Sequence, residues 1–105
     1  METISAEGLR DILDQNRTVA LLDVREPWEF DLCRIQGSIN IPMSDIMTRV
    51  ETLEKDAETV VICHHGMRSL QVAAFLDSLG FEKIINLEGG VAAWAARIDA
   101  TMQQY

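Results

Sequence analysis

The sequence predicts an α/β fold built on a mainly parallel sheet. Three apolar runs, residues 19–24 (VALLDV), 59–63 (TVVIC) and 83–87 (KIINL), lack the alternation of a half-exposed strand and suit strands buried on both faces. Stretches with apolar residues at helical spacing lie between and around these runs. Parallel neighbours need long crossovers, and helices supply them.

The elements follow in order. Ser5 suits the N-cap of a first helix with Leu9, Ile12 and Leu13 on one face, ending near Asn16. The first buried run comes next and breaks at Glu26-Pro27, where Pro27 is suited to open a short helix through Phe30. Residues 37–42 (GSINIP) hold at most a short strand. Ser44 is the expected cap of a second helix carrying Ile46, Val50 and Leu53 at i, i+4 and i+7. After the run 59–63, a tight connection around Gly66 leads to a helix expected from about Ser69. Val72, Phe75, Leu76 and Leu79 stripe it and Gly80 closes it. Beyond the run 83–87, Gly89-Gly90 permits a tight turn. Val91, Trp94, Ala95 and Ile98 stripe a last helix, which gives Trp94 a core role. From Asp99 the chain is polar and a fraying tail is expected.

With 105 residues, the chain is expected to form one domain over residues 1–105, with a core at about 3–97 and a polar tail at 98–105. Hydrophobic residues at 48% and charged residues at 25% argue against wide disorder. The longest unbroken apolar run, residues 91–96, is far short of the roughly 20 a spanning helix needs. The first residues show neither the basic nor the apolar region of a secretory signal, so none is expected. A net charge of −8 with nine Lys and Arg argues against phosphate-driven binding to nucleic acid or an anionic membrane surface. A small anionic substrate would need local positive potential against a repulsive overall field. Two cysteines make no disulfide framework; Cys33 and Cys63 are expected as free thiols in a reducing, cytoplasmic setting.

In open parallel sheets, ligands bind beyond the carboxyl ends of the strands. That rule selects Asp23 to Arg25, Cys63 to Arg68 and Glu88 to Gly90. The sharpest candidate is Cys63-His64-His65-Gly66-Met67-Arg68-Ser69. A cysteine between a strand and a helix meets loop N–H groups and the positive end of the helix dipole, both of which favour thiolate. Gly66 lets the backbone turn so that N–H groups converge on an anion, and Arg68 adds a cation. A buried strand-end cysteine followed by a basic turn is the plainer alternative. Three consecutive residues cannot easily point at one tetrahedral centre, so no metal is expected at Cys63, His64 and His65.

Four segments in order resemble the rhodanese superfamily. The loop from Cys63 to Ser69 looks like its active-site loop. Leu22-Asp23-Val24-Arg25-Glu26 resembles its Asp-Val-Arg-Glu signature, residues 29–42 its Gly-Ala/Ser-Ile-Asn-Ile-Pro segment, and residues 87–94 its Glu-Gly-Gly and Trp motif. The resemblance covers residues 3–97 and implies a five-stranded, mainly parallel sheet flanked by helices on both faces. It also implies sulfur transfer through a persulfide on Cys63, with no organic cofactor. Thiosulfate or glutathione persulfide would be the donor; a thiol, cyanide or a protein would be the acceptor. Four residues separate Cys63 from Arg68, one fewer than in phosphatase relatives, and the smaller loop suits a sulfur atom better than a phosphate. A sulfur-relay carrier, or a regulatory binding module with little small-molecule turnover, is the alternative within the same family.

Two departures from the family pattern matter. His64 and His65 follow the cysteine where some thiosulfate-specific members carry cations; a neighbouring thiolate could raise their pKa. Cys33-Arg34 stands where Gly-His is common. Cys33 is expected as a half-buried small hydrophobe, with resolution of an oxidised Cys63 as the sharper reading. Asp23 and Arg25 are expected to support the loop, Arg25 by anchoring Glu26 or Glu88 or as part of a structural ion pair. Arg68 is expected to shape the loop, and Met67 to line its rim. Trp28 could stand near the mouth of the site.

Overall fold

The computed structural model describes residues 1–105. Five strands make one sheet: β1 (Glu2–Ile4), β2 (Ala20–Asp23), β3 (Ile39–Asn40), β4 (Thr59–Ile62) and β5 (Ile84–Leu87). Their spatial order is β1-β5-β4-β2-β3, and every pairing is parallel. All carboxyl ends therefore point the same way, and β4 is the central strand. The helices are α1 (Ala6–Asp14), α2 (Pro27–Leu32), the single turn α3 (Ile46–Arg49), α4 (Met67–Ser78) and α5 (Gly90–Arg97).

Alternation along the strands builds two core layers. Leu22, Val61 and Ile84 face one way, against Val72, Ala73 and Leu76 of α4 and Ile46 of α3. Leu21, Val60, Ile62, Ile85 and Leu87 face the other way, against Ala6 and Leu9 of α1 and Val91 and Trp94 of α5. With helices covering both faces, the strands have no polar side, which is why their sequences read as continuous apolar runs. Each fully buried Leu, Val or Ile contributes about 1.5–3 kcal/mol before the entropy of ordering it is counted. No helix is long and apolar enough to cross a membrane.

Local signals set several boundaries. Ser5 Oγ accepts the Gly8 N–H at 3.0 Å and opens α1. Pro27 is the first residue of α2, and the Glu29 carboxylate accepts the Glu26 N–H at 2.9 Å. Gly80 takes φ +93° just past the end of α4.

Three expectations change. Ser44 caps nothing: residues 43–45 form a 3₁₀ turn, α3 is one turn long, and a second 3₁₀ turn (Val50–Thr52) follows. The chain is already pinned there, because the Asp23 and Val24 carbonyls accept the Ile41 and Met43 N–H groups, each at 2.9 Å, and Pro42 fixes the turn. Helix α4 begins at Met67 rather than Ser69, because Gly66 takes φ +100° at the N-cap and lets the helix start at once. Strand β1 escaped the pattern reading. Its three residues are too short and too exposed to show a period, yet they pair with β5, and the Glu88 N–H reaches the Ile4 carbonyl at 2.8 Å.

Candidate active site

Cys63 directly follows β4 and is 1% exposed. The Gly66 N–H points at its Sγ from 3.0 Å, so the loop curls back over the sulfur. The N–H groups of the first turn of α4 have no intrahelical acceptors and lie next along the chain. The loop carbonyls are turned elsewhere: Cys63 O accepts the Val91 N–H at 2.9 Å, and His64 O accepts the Ala92 N–H at 3.0 Å. The start of α5 thus holds the acceptors away from the sulfur and leaves donors to face it. This requires a close approach at Gly90, which has φ +56°. A Cβ there would overlap the Cys63 carbonyl oxygen.

A second support comes from β5. Ser69, fully buried, donates its hydroxyl to Asn86 Oδ1, and Asn86 Nδ2 reaches the Gly66 carbonyl at 3.4 Å. Asn86 was not singled out from the sequence. The available signal was a polar residue inside a run otherwise buried on both faces.

A third support is ionic. Glu29 grips Arg68 with two parallel hydrogen bonds, Nη1 to Oε1 at 2.7 Å and Nη2 to Oε2 at 2.9 Å. The Arg68 guanidinium beside it, opposed by burial, holds the Glu29 carboxyl down at about 2. Arg68 is raised in turn, chiefly by Glu29. The Arg68 cation is therefore paired, and Arg68 fastens the start of α4 to α2.

Arg25 and Asp23 form a pair with both side chains fully buried, Nη2 to Oδ2 at 2.7 Å. Arg25 does not anchor Glu26 or Glu88. Its remaining donors go to the carbonyl oxygens of Glu29 at 3.2 Å and Cys33 at 2.6 Å, because it lies beneath α2 rather than beside the Glu88 turn. Burial works against its charge, but Asp23 and Tyr105 outweigh it and push its pKa further up. The Cys33 sulfur, half-buried, lies 3.7 Å from Arg25 Nη1.

The tail folds back onto the body of the protein. Asp99 accepts from the Thr101 N–H at 3.0 Å, and Met102 packs against the core. The chain then returns to the cysteine loop. The Tyr105 hydroxyl donates to Glu29 Oε2 at 2.7 Å and accepts from Arg25 Nη1 at 3.0 Å. Its ring stacks flat on His64, with centroids 3.8 Å apart and planes at 6°, and meets Trp28 edge-on at 5.9 Å. The Tyr105 hydroxyl is pushed up to about 12 by burial, with Arg25 opposing and Glu29 adding to the rise. Nothing local in the sequence marks Tyr105, whose partners lie 76 and 80 residues away.

The His64 pKa is lowered, first by burial and then by the neighbouring His65, so the expected rise from a thiolate is not what this environment produces. His65 is exposed; Met67 is 70% exposed and Trp28 63% exposed. A groove of about 720 Å³ lies beside Arg17, Leu53 and Lys83 at the amino ends of the strands. It contains none of the loop residues and is at the wrong end of the sheet for this chemistry.

A cysteine held in a strand–loop–helix cradle at the carboxyl edge of a parallel sheet defines the class. The chain belongs to the rhodanese-like domain family, whose model matches residues 5–97. It is 42% identical over 94 residues to YtwF of Bacillus subtilis, covering 90% of each chain. It is 36% identical over 92 residues to a protein named "Sulfurtransferase" of Allochromatium vinosum, covering 88% of this chain and 86% of that one. The crystal structure of a rhodanese-related protein from Thermoplasma volcanium superposes with a TM-score of 0.85 at 37% identity, covering 93% of this chain and 94% of that one.

Proposed function

We propose that the protein is a sulfurtransferase that carries sulfane sulfur as a persulfide on Cys63. The observation that carries this reading is the Cys63 sulfur at 3.0 Å from the Gly66 N–H, inside a loop whose carbonyls are held away by α5. Such a pocket stabilises a sulfur anion at the loop centre. The Allochromatium relative, named a sulfurtransferase, supports the same chemistry.

The reaction divides into two displacements. The Cys63 thiolate attacks the outer sulfur of thiosulfate, an S–S bond forms, and the donor's S–S bond breaks with its electron pair leaving on sulfite. Glutathione persulfide would release glutathione thiolate in the same way. An acceptor nucleophile (a thiol, cyanide or a protein thiolate) then attacks the terminal sulfur of the persulfide, and Cys63 leaves as thiolate. No external oxidant or reductant is needed, and neither a metal nor an organic cofactor takes part. Arg68, Ser69, Asp23 and Arg25 act as positioning residues. His64, His65 and Met67 form the entrance. The two free thiols suit a reducing, cytoplasmic setting.

The test is the intact mass after brief exposure to thiosulfate, or separately to glutathione persulfide, and then to cyanide. A gain of about 32 Da that maps to Cys63 and is lost with cyanide is the expected result for a persulfide intermediate. Cys63→Ser should abolish it. Transfer that survives in Cys63→Ser would move the chemistry to Cys33 and overturn the assignment. No gain with either donor, while Cys63 remains alkylatable, would favour a relay or binding module.

A further inference from the structure

The polar tail ends in an arrangement that the sulfur-transfer scheme does not use. Residues 103–105 make no backbone–backbone hydrogen bond; beyond Met102 the segment is held by the Tyr105 side chain and by a hydrogen bond between the Tyr105 backbone and His64. That side chain sits between α2 and the cysteine loop, with its ring on His64, its edge toward Trp28, and its hydroxyl between Glu29 and Arg25. It is still 38% exposed, so water can take over its two hydrogen bonds when it leaves. Behind it a cavity of about 150 Å³ runs between Gln103, Gln104 and the start of α5 to His64 and His65. Cys63, the residue next to His64, is 1% exposed.

We propose that Tyr105 is a displaceable latch that determines which substrates reach Cys63. With the latch closed, small ions enter. A polypeptide thiol reaches the sulfur only after the ring has left His64. The inference rests on the sulfur-transfer reading for its biological meaning, but not for its test. The supporting geometry is specific: one side chain bridges α2 and the cysteine loop, and no backbone–backbone pairing keeps the segment there. Once it has left, the ring face of His64 and the edge of Trp28 that Tyr105 now covers are both uncovered.

The experiment compares alkylation of Cys63 by iodoacetamide and by a maleimide carried on a long polyethylene glycol, with the modified site assigned by peptide mass so that Cys33 is counted separately. Wild type, Tyr105→Ala, Tyr105→Phe and a chain ending at Met102 are compared. In Tyr105→Ala and the shortened chain, the bulky reagent should react about tenfold faster while iodoacetamide changes by less than about twofold, as expected for a shifted open–closed equilibrium. Tyr105→Phe keeps the stack and loses both hydrogen bonds, and should fall between. A bulky-to-small rate ratio unchanged in all three variants overturns the latch, and so does an equal rise with both reagents. If Tyr105→Ala unfolds, Tyr105→Phe and the shortened chain still decide the matter. Persulfide formation measured by mass on the same samples separates failure of the latch from failure of the sulfur-transfer reading.

Discussion

Glu29 and Arg68 meet side by side, with two hydrogen bonds of 2.7 and 2.9 Å joining the first turn of α2 to the first turn of α4. The same carboxylate accepts the Glu26 N–H and the Tyr105 hydroxyl, so all four of its contacts come from donors. With Asp23 and Arg25 beneath, two anions and two cations cancel at the edge of the loop. Arg68 therefore stands paired beside the loop rather than as a free cation, and the donor placed on the Cys63 sulfur is the Gly66 N–H.

Glu29→Gln should destabilise the fold in a pH-dependent way. Glu29 is held at about 2 against an ordinary 4.5. Its contribution is complete above about pH 4.5 and is lost as pH falls through 2. The Arg68 side chain is 36% exposed, and solvent screens the pair, so the contribution is on the order of 2 kcal/mol. Urea unfolding of wild type and Glu29→Gln should differ by that amount at pH 7 and converge toward pH 2. A gap that stays constant from pH 7 to pH 2 would contradict the assignment.

Gly90→Ala should damage the cysteine loop far more than Gly80→Ala. Both residues have positive φ, +56° and +93°, and each alanine carries a backbone penalty of roughly 1–2 kcal/mol. A Cβ at Gly80 meets nothing within 4 Å, whereas one at Gly90 strikes the Cys63 and His64 carbonyls. Thermal unfolding should show both variants folded, and sulfur loading of Cys63 should fall by about tenfold or more only in Gly90→Ala. Equal loading in the two would show that α5 does not set the loop.

Asn86→Ala should leave the Ser69 hydroxyl without its partner in a buried site and the Gly66 carbonyl with only the Leu70 N–H at 3.3 Å. A loss of about 1–3 kcal/mol is expected from the stranded polar group. Asn86→Asp should be worse at neutral pH, since it replaces a donor to Gly66 with a charge. Chemical denaturation measures both, and a neutral effect for Asn86→Ala would mean that water takes the place of the amide.

His64 should titrate below its ordinary 6.5, and it should be neutral at pH 7. A group whose charged form is disfavoured in the fold favours unfolding when protonated. Stability should therefore fall as pH drops through 6.5 toward the lowered value. The imidazole C–H chemical shift against pH reads the midpoint directly. A midpoint at or above 6.5 would show that burial and His65 do not disfavour the charged ring.

The central strands were legible because they are buried on both faces, and burial writes itself into the sequence as runs such as residues 19–24 and 59–63. The loop was legible because Cys63, Gly66 and Arg68 sit within one turn of chain. What escaped depends on distant partners. Strand β1 has three residues and gains its identity only from β5. The Arg25 side chain finds Cys33 and Tyr105 through folding, and local spacing could not reveal it. Ser44 is a good cap by type, yet Pro42 and two tertiary hydrogen bonds had already fixed the backbone before it.

The pairing of β1 with β5 bears on how the chain is made. Glu2 lies beside Ile85 and Ile4 beside Leu87, so the first strand has no neighbour until nearly the last one exists. On a ribosome β1 must wait until β5 has been made before it can pair. Closing so long a span is entropically slow, and the sheet edge would be the last part to zip. A chaperone that shields this segment during synthesis would therefore protect a strand which, in the finished protein, is barely buried at all.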